Sequence, residues 1–144
     1  MDRLSPAQRS ENMRRITSRN TKPELVVRQA IRSLGFSGYR LHRRDIRGNP
    51  DIAWVGKKLA VFVHGCFWHG HDCKEGLRVP KSRAEYWVPK IARTRERDAA
   101  HRQALEAMGW DTLVVWECEA AKPSTLEGKL AGFLQRALKR RREE

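Results

Sequence analysis

Apolar positions along this chain follow two different periods, and each switch between them marks a new element. Val26, Val27, Ala30, Ile31 and Leu34 recur at the three- and four-residue spacing of a helix with one apolar face. That helix opens at Thr21-Lys22-Pro23-Glu24, which has capping-box form, and closes at Gly35; a short polar helix is expected before it, from Ser5-Pro6. The pattern then shortens. Tyr39–Arg43, Asp51–Val55 and Leu59–Val63, separated by Gly48-Asn49-Pro50 and Gly56-Lys57, read as strands joined by turns. Helical spacing returns over Lys90–Met108, with Pro89 confining the start and Gly109 the end. Trp110–Trp116 reads as another strand, and an amphipathic helix runs from Ser124 into a basic tail. No segment repeats. The sum predicts one α/β domain spanning 1–144, helices layered on a mixed sheet.

Charge narrows the partner. The 144 residues hold 30 Lys and Arg against 17 Asp and Glu, a formal net charge of +13. That excess is larger than solubility needs and points to a polyanion such as nucleic acid. Basic residues are spread through Arg14-Arg15, Arg43-Arg44, Lys57-Lys58 and Arg93 to Arg97, so the terminal run Lys139 to Arg142 is read only as a solvated helix end. No apolar stretch approaches the roughly 20 residues that span a membrane. No signal peptide is visible, so a cytoplasmic setting is expected.

The densest chemistry lies in Val61-Phe62-Val63-His64-Gly65-Cys66-Phe67-Trp68-His69-Gly70-His71-Asp72-Cys73, directly after a strand. Cys66, Cys73 and one loop histidine are close enough to wrap a tetrahedral zinc ion, and Cys118, after the Trp110–Trp116 strand, is the remaining cysteine. The alternative is three free cysteines packed as small hydrophobes; a disulfide framework fits the odd count worse. Asp51, after Pro50, stands at a strand entrance where a carboxylate can hold Mg²⁺, although many such residues are solvated turn positions. Glu24 has its capping role and a place near that site as its two readings. On the long helix, the stripe through Ile91, Leu105 and Met108 also passes through Thr94, Asp98 and His101. Asp98 thus falls on the inward face and requires a partner or a wet cleft, unless it pairs with Arg95 or Arg102. His42 and His101 read as structural or surface residues.

The loop motif, preceded by Gly48-Asn49-Pro50-Asp51 and followed by Arg97-Asp98, Gly109-Trp110 and Val115-Trp116-Glu117-Cys118, resembles the very-short-patch-repair (Vsr) mismatch endonucleases. The likeness extends from Asn12-Met13-Arg14 through Thr21-Lys22-Pro23-Glu24 to Cys118. It implies a variant of the restriction-endonuclease core that nicks one strand 5′ of the T in a T:G mismatch left by deamination of 5-methylcytosine. It implies Asp51 as Mg²⁺ ligand with the Val63 carbonyl, and His64, His69, Asp98 and Glu24 as catalytic partners. Structural Zn²⁺ falls to Cys66, His71, Cys73 and Cys118. Where the wider nuclease fold carries a second carboxylate and a lysine, Phe62 and His64 stand, so imidazole must take over that chemistry. His69 oriented by Asp98 is the expected general base and His64 the phosphate or leaving-group contact, with the reverse assignment open.

The resemblance also assigns DNA contacts. Phe67, Trp68 and Trp87 are similar to a wedge that enters the base stack, against a plain hydrophobic cluster around zinc. Met13, Arg14, Lys90 and Thr94 are the other implied contacts, in an N-terminal arm over 1–20 and on the long helix. Thr94 stands where several relatives carry Asn, which bears on mismatch preference; Val63 replaces a threonine seen in some members, a change that a carbonyl contact tolerates. Implied partners are T:G-mismatched duplex DNA and general mismatch-repair proteins; a monomer in a bacterial, nucleoid-associated setting is expected. Two rival classes are a non-catalytic zinc-organised DNA-binding module and a zinc hydrolase. The first leaves Asp51, His64, His69 and Asp98 without a role, and the second needs an open coordination position.

Overall fold

The computed structural model describes residues 21–77 and 83–143. The expected short helix from Ser5, Met13 and Arg14 lie outside the described residues. Helix α1 (Lys22–Ser33) starts where the Thr21 hydroxyl accepts a hydrogen bond from the Glu24 amide at 3.4 Å. It ends in a paired C-terminal turn, with Gly35 N–H donating to Arg32 O and Phe36 N–H to Ile31 O. Gly35 has φ +88, so glycine suits this stop.

Four strands follow the predicted order, β1 (Arg40–Leu41), β2 (Ile52–Trp54), β3 (Leu59–His64) and β4 (Asp111–Trp116), and pair as neighbours in that order. The first two pairs are antiparallel and β3–β4 is parallel. A parallel pair needs a long crossover, supplied here by helix α2 (Ala84–Ala107). Strands β1 and β2 are shorter than the apolar pattern predicts. His42 turns to φ +51 directly after Leu41, and a 3₁₀ turn at Val55–Lys57 ends β2.

Period-2 alternation in β3 sorts the core into two layers. Leu59 and Val61 join Ile52, Trp54, Val27 and Ile31 with Leu126, Leu130 and Leu134, on the side covered by α1 and helix α4 (Pro123–Glu143). Ala60 and Phe62 face the other way, with Ala53, Val114, Ile46 and Leu105 of α2. A short helix α3 (Glu117–Ala120), not evident from the pattern, turns the chain between β4 and α4.

Two expectations about α2 need correction. It starts at Ala84, not Lys90, and runs through Pro89. The extra turn carries Tyr86 and Trp87, whose amides both donate to Arg83 O and whose rings pack together with Phe67 and Trp68. That packing favours the helix where the proline disfavours it. Met108 is 53% exposed because it caps the helix end, so the inward stripe stops at the fully buried Leu105. Among the described residues no helix is long and apolar enough to cross a membrane.

Candidate active site and metal cluster

The turn Gly48-Asn49-Pro50 delivers Asp51 to the mouth of the β2–β3 hairpin. Gly48 has φ +82, and a Cβ there would press on His101 and Phe62 at 3.0 and 3.2 Å, so the turn packs directly on α2 only as glycine. Asp51 Oδ2 accepts a hydrogen bond from Val63 N–H at 2.7 Å, which fixes the carboxylate against the end of β3. Burial pushes the Asp51 carboxyl up to about 7 despite that bond, and nearby Glu24 adds to the rise. A cation would relieve this cost. Glu24 is only 2% exposed, with Oε1 2.7 Å from His42 Nε2 and Oε2 3.6 Å from Arg28. Glu24, His42 and Asp51 offer donor atoms all within 4.8 Å of one another. Two carboxylates among them are the oxygen ligands a hard cation takes.

A second group faces Asp51 across a cavity of about 160 Å³ lined also by Phe62, Val63, His64, His69 and Asp98. His69 Nδ1 lies 2.6 Å from Asp98 Oδ2, joining the loop to the inward face of α2. Burial works to raise the Asp98 carboxyl, but the His69 bond and the charges of His69, His64 and Arg102 hold it below its ordinary value. The expected pairing of Asp98 with a cationic or hydrogen-bonding partner is thus met by His69. His64 stacks on His69 with ring centroids 3.9 Å apart and planes 3° from parallel. Its Nδ1 is buried without a hydrogen-bond partner among the described residues, and burial pushes its imidazole down to about 3, so it stays neutral at working pH.

Cys66, His71, Cys73 and Cys118 form a third group, each with a donor atom within 4.8 Å of the others. Ligands around tetrahedral zinc are spaced by about 3.8 Å for bonds near 2.3 Å, so the set fits such an ion. Strand register brings the distant member in. His64 pairs with Trp116 at the last β3–β4 position, and Cys66 and Cys118 follow at matching steps beyond it. Cys118 Sγ lies 3.6 Å from His71 Nδ1, and the Cys118 amide donates to Cys66 Sγ at 3.4 Å. Burial pushes the Cys66 thiol up to about 12, while the Gly76 amide holds Cys73 down at about 7. His71 stacks on Trp116 at 4.1 Å, so one tryptophan stands between this cluster and His64.

Phe67, Trp68 and Trp87 meet edge to face at 5.1 to 5.9 Å and stand outside both buried clusters, each partly exposed. Gly70, at φ +63, admits Ile91 and Arg95 so closely that any side chain would collide with them, which seats the loop on α2. Beside the loop, a cleft of about 590 Å³ runs past His69, Asp98, Thr94, Arg44, Arg47 and Arg97. Lys90 is exposed one turn before Thr94, whose hydroxyl donates to its carbonyl at 3.0 Å.

Comparison with known proteins agrees with this geometry. A family model described as DNA mismatch endonuclease Vsr matches residues 1–75. The type II nicking enzyme V.XorIIP of Xanthomonas oryzae pv. oryzae is 48% identical over 133 residues, covering 92% of this chain and 96% of that one. The chain belongs to the Vsr family of DNA mismatch endonucleases. Escherichia coli DNA mismatch endonuclease Vsr is 38% identical over 112 residues, 78% of this chain and 70% of that one. The type II nicking enzyme V.NmeAIP of Neisseria meningitidis serogroup A is 43% identical over 120 residues, 82% and 83%.

Within this Vsr-family fold, four further residues stand at the site to which the sequence pattern gives no functional role; from sequence, His42 and His101 read as structural or surface residues. Asn49, His101 and Arg102 border the small cavity, and His42 binds Glu24. The Arg102 Nε is buried without a partner among the described residues, and Arg47 Nε donates to His101 Nδ1 at 3.3 Å. His42 was legible in principle: pairing Leu41 with Ile52 sets the next residue opposite Asp51.

Proposed function

We propose that this endonuclease nicks one strand of duplex DNA 5′ of the T in a T:G mismatch, with Mg²⁺ at Asp51 and structural zinc at Cys66, His71, Cys73 and Cys118. The layered sheet is then the family's variant of the restriction-endonuclease core. One observation carries the reading: the His69–Asp98 pair at 2.6 Å opens onto the same small cavity as the buried Asp51 carboxylate. A DNA-binding module would have no use for that arrangement.

Asp51, the Val63 carbonyl and Glu24 would hold Mg²⁺, which supplies charge neutralisation at the phosphate and lowers the pKa of attacking water. His69 would accept the proton of an attacking water at Nε2, because Asp98 holds Nδ1 and so fixes tautomer and ring orientation. His64, kept neutral by burial, is unsuited to delivering a proton near neutral pH; it supports His69 from its stacked face. Arg44, Arg47 and Arg97 line the cleft where the phosphate backbone would run. Phe67, Trp68 and Trp87 enter the stack beside the mismatch, where unstacking costs least.

The names of several relatives favour a second reading of specificity. They are type II nicking enzymes, a reading in which flanking sequence sets the nick as strongly as the mismatch does. Cleavage of duplexes carrying each mismatch in varied contexts, with and without Mg²⁺, decides both points. Mg²⁺-dependent nicking confined to T:G is expected. Equal nicking of matched duplexes, or nicking without divalent cation, would overturn the proposal.

A further inference from the structure

His42 makes two contacts that join the nuclease carboxylates. Its main-chain N–H donates to the Asp51 carbonyl at 3.1 Å, carrying the β1–β2 ladder one residue past Leu41 and Ile52. It does so at φ +51, a left-handed conformation uncommon for side-chain-bearing residues but one in which histidine is enriched. From that backbone the ring reaches α1, where Nε2 lies 2.7 Å from Glu24 Oε1. Glu24 is buried, and a buried carboxylate accepts only, so its direction is set by whichever donors reach it. Arg28, at 3.6 Å, lies one turn along the same helix. His42 ties Glu24 to the sheet, because its own backbone is bonded to Asp51.

We propose that His42 is a positioning residue of the endonuclease site, holding Glu24 against Asp51 in the spacing that accepts one divalent cation while touching neither cation nor DNA. The proposal rests on the reading of Asp51 as the cation-holding carboxylate. It assigns to His42 a polar link between α1 and the hairpin, the two parts of the fold that bring those carboxylates together.

The test compares two amides. His42→Asn tolerates the left-handed backbone but is too short to reach Glu24, whereas His42→Gln keeps a donor of similar reach. Mn²⁺ binding to DNA-free protein, followed by the electron paramagnetic resonance of the free ion, is read alongside the Mg²⁺ half-saturation of nicking. Loss of an outer-shell partner commonly weakens metal affinity about 10–100-fold, and His42→Asn is expected to fall in that range in both measurements. Its mismatch-duplex affinity without added divalent cation should stay at the wild-type level, and His42→Gln should recover most of the cation affinity. A merely structural ion pair would lower the melting temperature and leave cation affinity of the folded protein alone. Folded His42→Asn with wild-type Mn²⁺ affinity, or His42→Gln no better than His42→Asn, overturns the proposal. If His42→Asn fails to fold, the Nε2 nitrogen resonance of wild-type His42 answers instead. It should move on adding Mg²⁺, and no movement at saturation overturns the proposal. Wild-type protein that nicks without Mg²⁺ would instead refute the functional reading itself.

Discussion

Cys66, His71 and Cys73 come from one stretch of loop and need only Cys118 from elsewhere, whereas Glu24, His42, Asp51, His69 and Asp98 are gathered from a helix, a hairpin, a loop and a second helix. The sulfur-rich cluster is soft and local; the carboxylate and imidazole sites are hard, partly charged and assembled across the sheet. The first arrangement suits a brace, whose purpose is to hold a loop still. The second suits chemistry, because groups on separate rigid elements can point at one volume without relaxing onto each other. Trp116 lies between the two, edge-on to His64 and stacked on His71, so it is the contact through which a metal-filled cluster would brace His64.

The strongest way to break this contrast is Cys118→Ser. Small structural zinc sites contribute about 10 kcal/mol, comparable to a domain's whole stability, so the variant should lose its metal and unfold or aggregate. Metal analysis with thermal melting checks it; one retained equivalent of zinc and a wild-type melting temperature would remove the brace. Next in size is Asp51→Asn, which should leave mismatch binding intact. A catalytic cation supplies several kcal/mol of transition-state stabilisation, so turnover should drop by about 10³-fold or more. Single-turnover nicking beside duplex titration separates the two effects, and near-normal turnover would exclude Asp51 as the cation ligand.

Trp68→Ala sharpens the comparison at the loop's outer face. Loss of stacking should cost about 1–3 kcal/mol of mismatch affinity, with salt-sensitive binding to matched DNA nearly unchanged. A large drop in melting temperature at constant specificity ratio would instead make the aromatic group part of the fold. A further effect concerns protons. Folding raises the Asp51 carboxyl from its ordinary range to about 7, so the folded state binds the proton more tightly. Its contribution therefore favours folding below about 4 and is lost as pH rises toward 7. His64, lowered to about 3, works in the opposite sense, so Asp51 is isolated by difference. In metal-free solution the melting temperature of Asp51→Asn relative to wild type should climb between pH 4 and 7, and Mg²⁺ should shrink that climb. A flat difference would mean that Asp51 is not strained.

Much of this architecture was legible in the apolar pattern, and the failures have physical causes. Strands β3 and β4 and helix α1 followed their patterns because each sets apolar side chains into the core. β1 and β2 are shorter because His42 and the Val55–Lys57 turn leave the extended region, which periodicity cannot register. The start of α2 was hidden by Pro89, whose local preference loses to aromatic packing from a loop distant in sequence. At the site, spacing could not separate His69 from His71; the resemblance did, and the structure sets His69 beside Asp98 and His71 beside Cys118. The roles of His42 and Arg102 were missed because they depend on which groups tertiary structure leaves buried beside them.

The parallel pairing of β3 with β4 also sets an order of events as the chain is made. Cys66, His71 and Cys73 emerge from the ribosome together, but the fourth donor follows only after α2 and β4 have been synthesised. Until then a metal ion can be held only by an incomplete set. A strand that aligned one residue out of step would turn its side chains to the wrong face and carry Cys118 away from the others. Completion of the cluster would therefore report that the longest-range pairing in the sheet is correctly aligned, and a nascent chain would become able to cut DNA only after passing that inspection.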